Sequence, residues 1–247
     1  MQDHAQTIKR NLRVINLDPA AESFKYHCDI DVRDLISVKD VMEKKKLGPN
    51  GALIFCMEYL IKNITWLDDQ VSVLGDNVYF ILDCPGQLEL YSHYSIMKSL
   101  TISLRKMGVN VCSVFCLDST FLQEQSKFIS GCLLSLASMV QLELPHLTVV
   151  TKCDLIEDKS LLDNLHELDP KTISCDLPLM MGKKMEKLNE ALTGLIDSFS
   201  LVDLYPLNAD DEDSINAVLY HADTILQFYD NQEPRDEFYK DETMENN

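Results

Sequence analysis

Short apolar runs rich in β-branched residues alternate with longer stretches of helical periodicity along this 247-residue chain. The segments Leu12–Leu17 (LRVINL), Val78–Leu82, Val111–Leu117, Leu147–Val150 and Leu201–Tyr205 read as strands. Several are apolar on both faces, as strands covered by helices above and below must be. Ser37 with Asp40 three residues on has capping-box spacing, and the helix it opens runs through the charged stretch Glu43–Lys46 to a stop at Gly48-Pro49. Helical periodicity returns over Ala52–Trp66, Leu88–Lys106, Phe121–Leu142, Lys183–Phe199 and Glu212–Tyr229. This alternation predicts an α/β fold, a doubly wound and mostly parallel sheet flanked by helices. No repeat and no glycine- or serine-rich linker divides the chain, so one domain is expected over residues 1–229. Residues 230–247, polar and net acidic, read as a disordered tail.

Composition narrows the setting. Apolar residues make up 46% of the chain, yet no apolar run reaches the length of a membrane span. The first residues, MQDHAQTIKRNLRV, lack the apolar core of a secretory signal, so a cytoplasmic protein, with possible passage to the nucleus, is expected. Eight cysteines are scattered through apolar segments without a CxxC, which suits reduced, buried thiols better than a zinc site. Twenty-two basic against 40 acidic side chains give a net charge of −18, a field that repels phosphate backbones and disfavours direct nucleic-acid binding.

Ligands of open parallel sheets collect at the carboxyl ends of the strands, and here those ends carry chemistry. The first strand is followed by NLDPAAE with Asp18, the second by Asp83-Cys84-Pro85-Gly86-Gln87, the third by Asp118-Ser119 and the fourth by Thr151-Lys152-Cys153-Asp154. Asp83 with Gly86 forms DxxG: a carboxylate able to hold Mg²⁺ through water and a glycine whose amide can approach a terminal phosphate. Gln87 can orient a water, since its amide both donates and accepts. Asp154 can accept the ring N–H and the exocyclic amine of guanine while the stem of Lys152 lies over the base. Each piece has a plainer alternative: Asp83 as a turn cap, Asp18 as a cap ahead of Pro19, TKCD as a chance surface sequence. Gly48-Pro49-Asn50-Gly51 by itself predicts only a loop.

Together, NLDPAAE, GPN, DCPGQLELY, FISG and TKCD resemble the GPN-loop GTPases, a family of P-loop NTPases, from about Leu12 to about Tyr229. FCMEYL, the threonine of TKxD and the short acidic tail are most similar to its third eukaryotic branch. The resemblance implies GTP and Mg²⁺ as ligands, with Asp83 and Asp18 at the metal and Asp18 and Gln87 serving the attacking water. It also implies that the loop Gly48, Pro49, Asn50 reaches across a dimer interface, where Asn50 steadies the transferring phosphoryl group in trans. Gly86, Thr151, Lys152, Cys153, Asp154, Pro206 and Leu207 would complete nucleotide binding. The implied partner is a sister GPN-loop GTPase or a second copy, and the implied role is assembly of RNA polymerase II or III before nuclear import.

The sequence departs from the family in one respect: it contains no GxxxxGK[ST], and Gly182-Lys183 lacks the remaining positions. Residues Met1–Arg10 resemble the later half of the helix that follows such a loop, so a strand, loop and half helix are expected to be missing. Two strands should then be left with unpaired edges inside the domain. The 247 residues are expected to bind GTP weakly and to aggregate; a non-catalytic dimerisation module is the alternative function.

Overall fold

A computed structural model describes residues 1–75, 77–156 and 204–229, together with Lys187, Ala191 and Gly194. The acidic tail from 230 and most of the expected helix 183–199 lie outside the described residues. Helix α1 (Gln2–Thr7) leads into β1 (Leu12–Asn16) and a two-residue β2 (Ile30–Asp31). Helices α2 (Val38–Lys45), α3 (Pro49–Lys62) and α4 (Ile64–Val73) precede β3 (Tyr79–Asp83). Next come α5 (Glu89–Ser92), α6 (Ile96–Lys106), β4 (Ser113–Asp118), α7 (Gln125–Leu142) and β5 (His146–Thr151). The described part ends with β6 (Leu204–Pro206) and α8 (Glu212–Leu226).

Local chemistry accounts for the helix boundaries. The Ser37 hydroxyl accepts from the Asp40 amide at 3.2 Å, one half of the expected capping box. The loop expected at Gly48–Gly51 is instead the start of α3: Gly48 is the extended N-cap, and Pro49, Asn50 and Gly51 form the first turn. Proline suits that position because its fixed φ is helical and its missing N–H would have had no partner there. The long helical segments divide at Asn63, whose side chain bonds back to the Tyr59 carbonyl, and around His93–Ser95. The short β2 carries too brief an apolar signal to be read from sequence.

All strand pairs are parallel, in two three-stranded sheets ordered β2-β1-β3 and β4-β5-β6. Among the described residues, β3 and β4 each lack a strand partner on one edge. Tyr79, opening β3, lies within the field of Cys112 just before β4, and Asp83, closing β3, acts on Cys116 near the end of β4. Among the described residues the chain forms two separate sheets and no continuous one. Exposure follows from it: Val114 is 47% exposed on β4, whereas Leu147, Val149 and Val150 on β5 are buried. Cys116 is reached by solvent, yet burial is the main cause pushing its thiol pKa up.

Two features join the halves. Leu142 and Leu144, at the end of α7, share a core with Leu60, Met57, Leu67 and Leu100 from α3, α4 and α6. Near the amino ends of the strands, Arg10 makes paired hydrogen bonds to the buried Asp223 of α8 at 2.6 and 2.9 Å, its guanidinium lying 4.6 Å from the Phe228 ring centre. Buried charge is tolerated there because the bidentate pairing and the Tyr229 hydroxyl, 3.0 Å from Asp223, replace the lost water.

Candidate functional site

The carboxyl ends of β1 and β3 are set level, Asn16 opposite Asp83, and the Leu17 amide donates to the Asp83 carbonyl at 2.7 Å. Asn16 is fully buried and organises the turn after it: its amide nitrogen donates to the Asp18 carbonyl and to Asp31, and its oxygen accepts from the Asp18 amide, all near 3.0 Å. This fixes Asp18 beside Asp83. Asp18 does cap a turn, accepting from the Ala20 amide at 2.9 Å, but no helix follows Pro19. Both carboxylates act on Cys84, whose thiol is pushed up to about 12, first by burial and then by the charge of Asp83.

Beyond Asp83, a Cβ placed on Gly86 would meet nothing, so packing does not require glycine and the space before its backbone is open. The Gln87 amide donates to the Asn50 side chain at 3.4 Å, and Asn50 is exposed. The structure therefore brings Gly48, Pro49 and Asn50 of the α3 first turn to Gln87 within one chain. Tyr91, its hydroxyl donating to the Pro85 carbonyl at 2.7 Å, pins the turn between Asp83 and Gln87.

The second half of the site lies at the ends of β4, β5 and β6. Val150 pairs with Pro206 and its carbonyl accepts from the Leu207 amide at 2.7 Å, which seats Pro206 and Leu207 beside Thr151–Asp154. Lys152 adopts a left-handed backbone, φ 59°, and its carbonyl accepts from the Ser119 hydroxyl at 2.8 Å. Its ammonium pairs with Asp118 at 2.6 Å. That hydrogen bond, with two from Thr120, holds the Asp118 carboxyl down at about 2. The Cys153 thiol points inward to the Val150 carbonyl at 3.2 Å, while Asp154 is exposed and able to accept from a ligand.

The donor set can be weighed against a nucleotide and its metal. Among the described residues no group of three or more His, Cys, Asp or Glu side chains could cage a metal. A cation would rest on Asp83 and Asp18 together with phosphate and water oxygens, which is how Mg²⁺ is held beside nucleotides. The base side is better furnished: an exposed Asp154, a Lys152 stem and the Pro206-Leu207 backbone converge. The phosphate side is not, since the sequence contains no GxxxxGK[ST] and the ammonium of Lys152 is already paired with Asp118. The residues fit a magnesium nucleotide at the carboxylates and the base pocket, and fall short at the phosphates.

Sequence reasoning missed Tyr26, whose hydroxyl donates to Asp83 at 2.5 Å, and the Asp31–Arg33 pair that braces the same loop. A tyrosine in a polar loop carries no periodic signal, and the contact spans 57 residues. The pairing of Asp118 with Lys152 was foreshadowed only by both lying at strand ends.

Comparison with known proteins identifies the family and the fold. A family model described as a conserved hypothetical ATP binding protein matches residues 1–228. GPN-loop GTPase 3 of Danio rerio is 42% identical over 100% of this chain and 88% of its own length. That of Dictyostelium discoideum is 40% identical over 96% and 84%, and that of Mycosarcoma maydis is 40% identical over 94% and 87%. The solved structure of a Pyrococcus abyssi GTPase in its apo form, 17% identical, superposes with a TM-score of 0.70 over 89% of this chain and 90% of that one, and so supports the fold. The ordered strand-end motifs, the parallel α/β architecture and relatives matched along nearly their whole length lead to one conclusion: this chain belongs to the GPN-loop GTPase family.

Proposed function

We propose that the chain binds guanine nucleotide across the strand ends and that the site is built for GTP hydrolysis. The observation that supports this reading is the β5–β6 pairing, which brings the segment Thr151–Asp154 next to Pro206-Leu207, while Asp18 and Asp83 follow the parallel strands of the other sheet. Asp154 would read the guanine N–H groups. Asp83 and Asp18 would hold Mg²⁺, which when bound neutralises phosphate charge. Gln87, kept near Asn50, would orient water.

Affinity is expected to be low, because the phosphates find little counter-charge in these 247 residues. The reading of a non-catalytic dimerisation module draws on the same absence of a GxxxxGK[ST]. A sister GPN-loop GTPase or a second copy as partner, Asn50 acting in trans, and RNA polymerase II or III as client in a cytoplasmic assembly step before nuclear import belong to the proposal by family resemblance.

The test is base selectivity. Asp154→Asn replaces an acceptor with a donor, so binding of GTP should fall and binding of XTP, which has a carbonyl where guanine has its amine, should rise. Equal response of the wild type to GTP and ATP by calorimetry would defeat the reading. Phosphate release by the wild type, lost in Gln87→Ala, separates enzyme from binding module.

A further inference from the structure

The loop between β1 and β2 does more than deliver Asp18. It runs from Leu17 to Asp29 and is fastened at its middle by Arg33, whose guanidinium donates to the Ala21 carbonyl at 2.9 Å and the Glu22 carbonyl at 3.3 Å. The same guanidinium stands 4.5 Å from the Phe24 ring centre, and Phe24 lies 5.0 Å from Tyr26, ring to ring. Arg33 is held in turn by Asp31 at 2.8 Å, and Asp31 also takes the Asn16 amide that fixes Asp18. At the far end of this series the Tyr26 hydroxyl donates to Oδ2 of Asp83 at 2.5 Å, while Oδ1 of Asp83 has no donor among the described residues.

We propose that Tyr26 is a latch on the cation site: its phenol and a divalent cation compete for the Asp83 carboxylate, and cation entry releases Tyr26 and the stretch around Lys25. The proposal rests on the reading of Asp83 as the metal carboxylate. A short hydrogen bond to an anion draws on the same negative charge that a cation needs, so each weakens the other's hold. The ring itself packs beside Leu12, Val14 and Tyr79, so it is the hydroxyl at Oδ2 that a cation, keeping several of its waters, would displace. Arg33 fastens the loop at Ala21 and Glu22, and Gln2 fastens it at His27 through two hydrogen bonds of 2.9 Å, so the stretch between these ties, which holds Lys25 and Tyr26, is the part left to move.

Tyr26→Phe removes the hydroxyl and keeps the ring against Phe24. Two readings, neither of them activity, test it: Mn²⁺ binding followed by electron paramagnetic resonance, and tryptic cleavage after the exposed Lys25, identified by mass. Tyr26→Phe is expected to bind Mn²⁺ about tenfold more tightly, the scale of one lost charge-assisted hydrogen bond. It should also be cut after Lys25 faster than the wild type without metal, and Mn²⁺ should speed that cut only in the wild type. Equal Mn²⁺ affinities, or weaker binding by Tyr26→Phe, would overturn the latch and leave the cation site standing. Absence of Mn²⁺ binding in both proteins, matching an Asp83→Asn control, would overturn the cation site and the latch together.

Discussion

His146, at the start of β5, is enclosed by hydroxyls: Ser113 lies 2.8 Å from Nδ1 and Ser135 lies 2.9 Å from Nε2, with Ser135 a further 2.7 Å from Thr148. Burial lowers its pKa to about 4, so the folded protein keeps the ring neutral while the unfolded chain protonates it near the ordinary value of 6.5. Between those values the unfolded state binds more protons, and stability must therefore fall as pH drops from about 6.5 toward 4. The thermal midpoint of the wild type should decline over that interval, and His146→Gln should decline less; equal slopes for the two proteins would show that the network does not depend on a neutral ring. The residue takes no part in the strand-end chemistry and acts by fastening α7 to the β4–β5 pair.

Among the elements, α7 depends on one small residue. A Cβ on Gly131 would stand 2.8 Å from Leu117 and 3.1 Å from Phe121, so this glycine lets the helix lie close to β4. Gly131→Ala is expected to cost about 1–3 kcal/mol, less if the two side-chain ends swing aside, as read from urea midpoints. Asp223→Ala, which leaves Arg10 buried without its partner, should cost about 3–5 kcal/mol by the same measurement and loosen α1 from α8. The two sites also show what could be read beforehand. Asp83 was visible as part of DxxG because motif and strand end coincide in sequence, whereas Gly131 was visible only as the last residue of FISG, inside α7. The Arg10–Asp223 clasp joins residues 213 positions apart, and no local pattern of apolar and polar positions encodes such a pairing. Helix starts were legible where a cap announced them, as at Ser37, and misjudged at Gly48–Gly51, where proline serves a turn and a first helical residue equally well.

At the scale of the molecule, two opposing tendencies meet. Strand edges without a partner among the described residues invite strand addition from neighbouring molecules, while a net charge of −18 keeps copies apart. Screening should decide between them: light scattering at fixed protein concentration is expected to grow as salt rises from about 10 mM, where the Debye length is near 30 Å, to about 150 mM, where it is near 8 Å. Scattering that is flat or falls with salt would show that the edges are covered in solution.

The same edges reverse the usual map of backbone protection. In a continuous sheet the middle strands hold their amide protons longest, and the rim loses them first. Here β1 and β5, each flanked on both sides, should be the slow exchangers, while alternate amides along the edges of β3 and β4 trade with deuterium as freely as a surface loop. Two strands of its framework would then be among the parts that water visits most often.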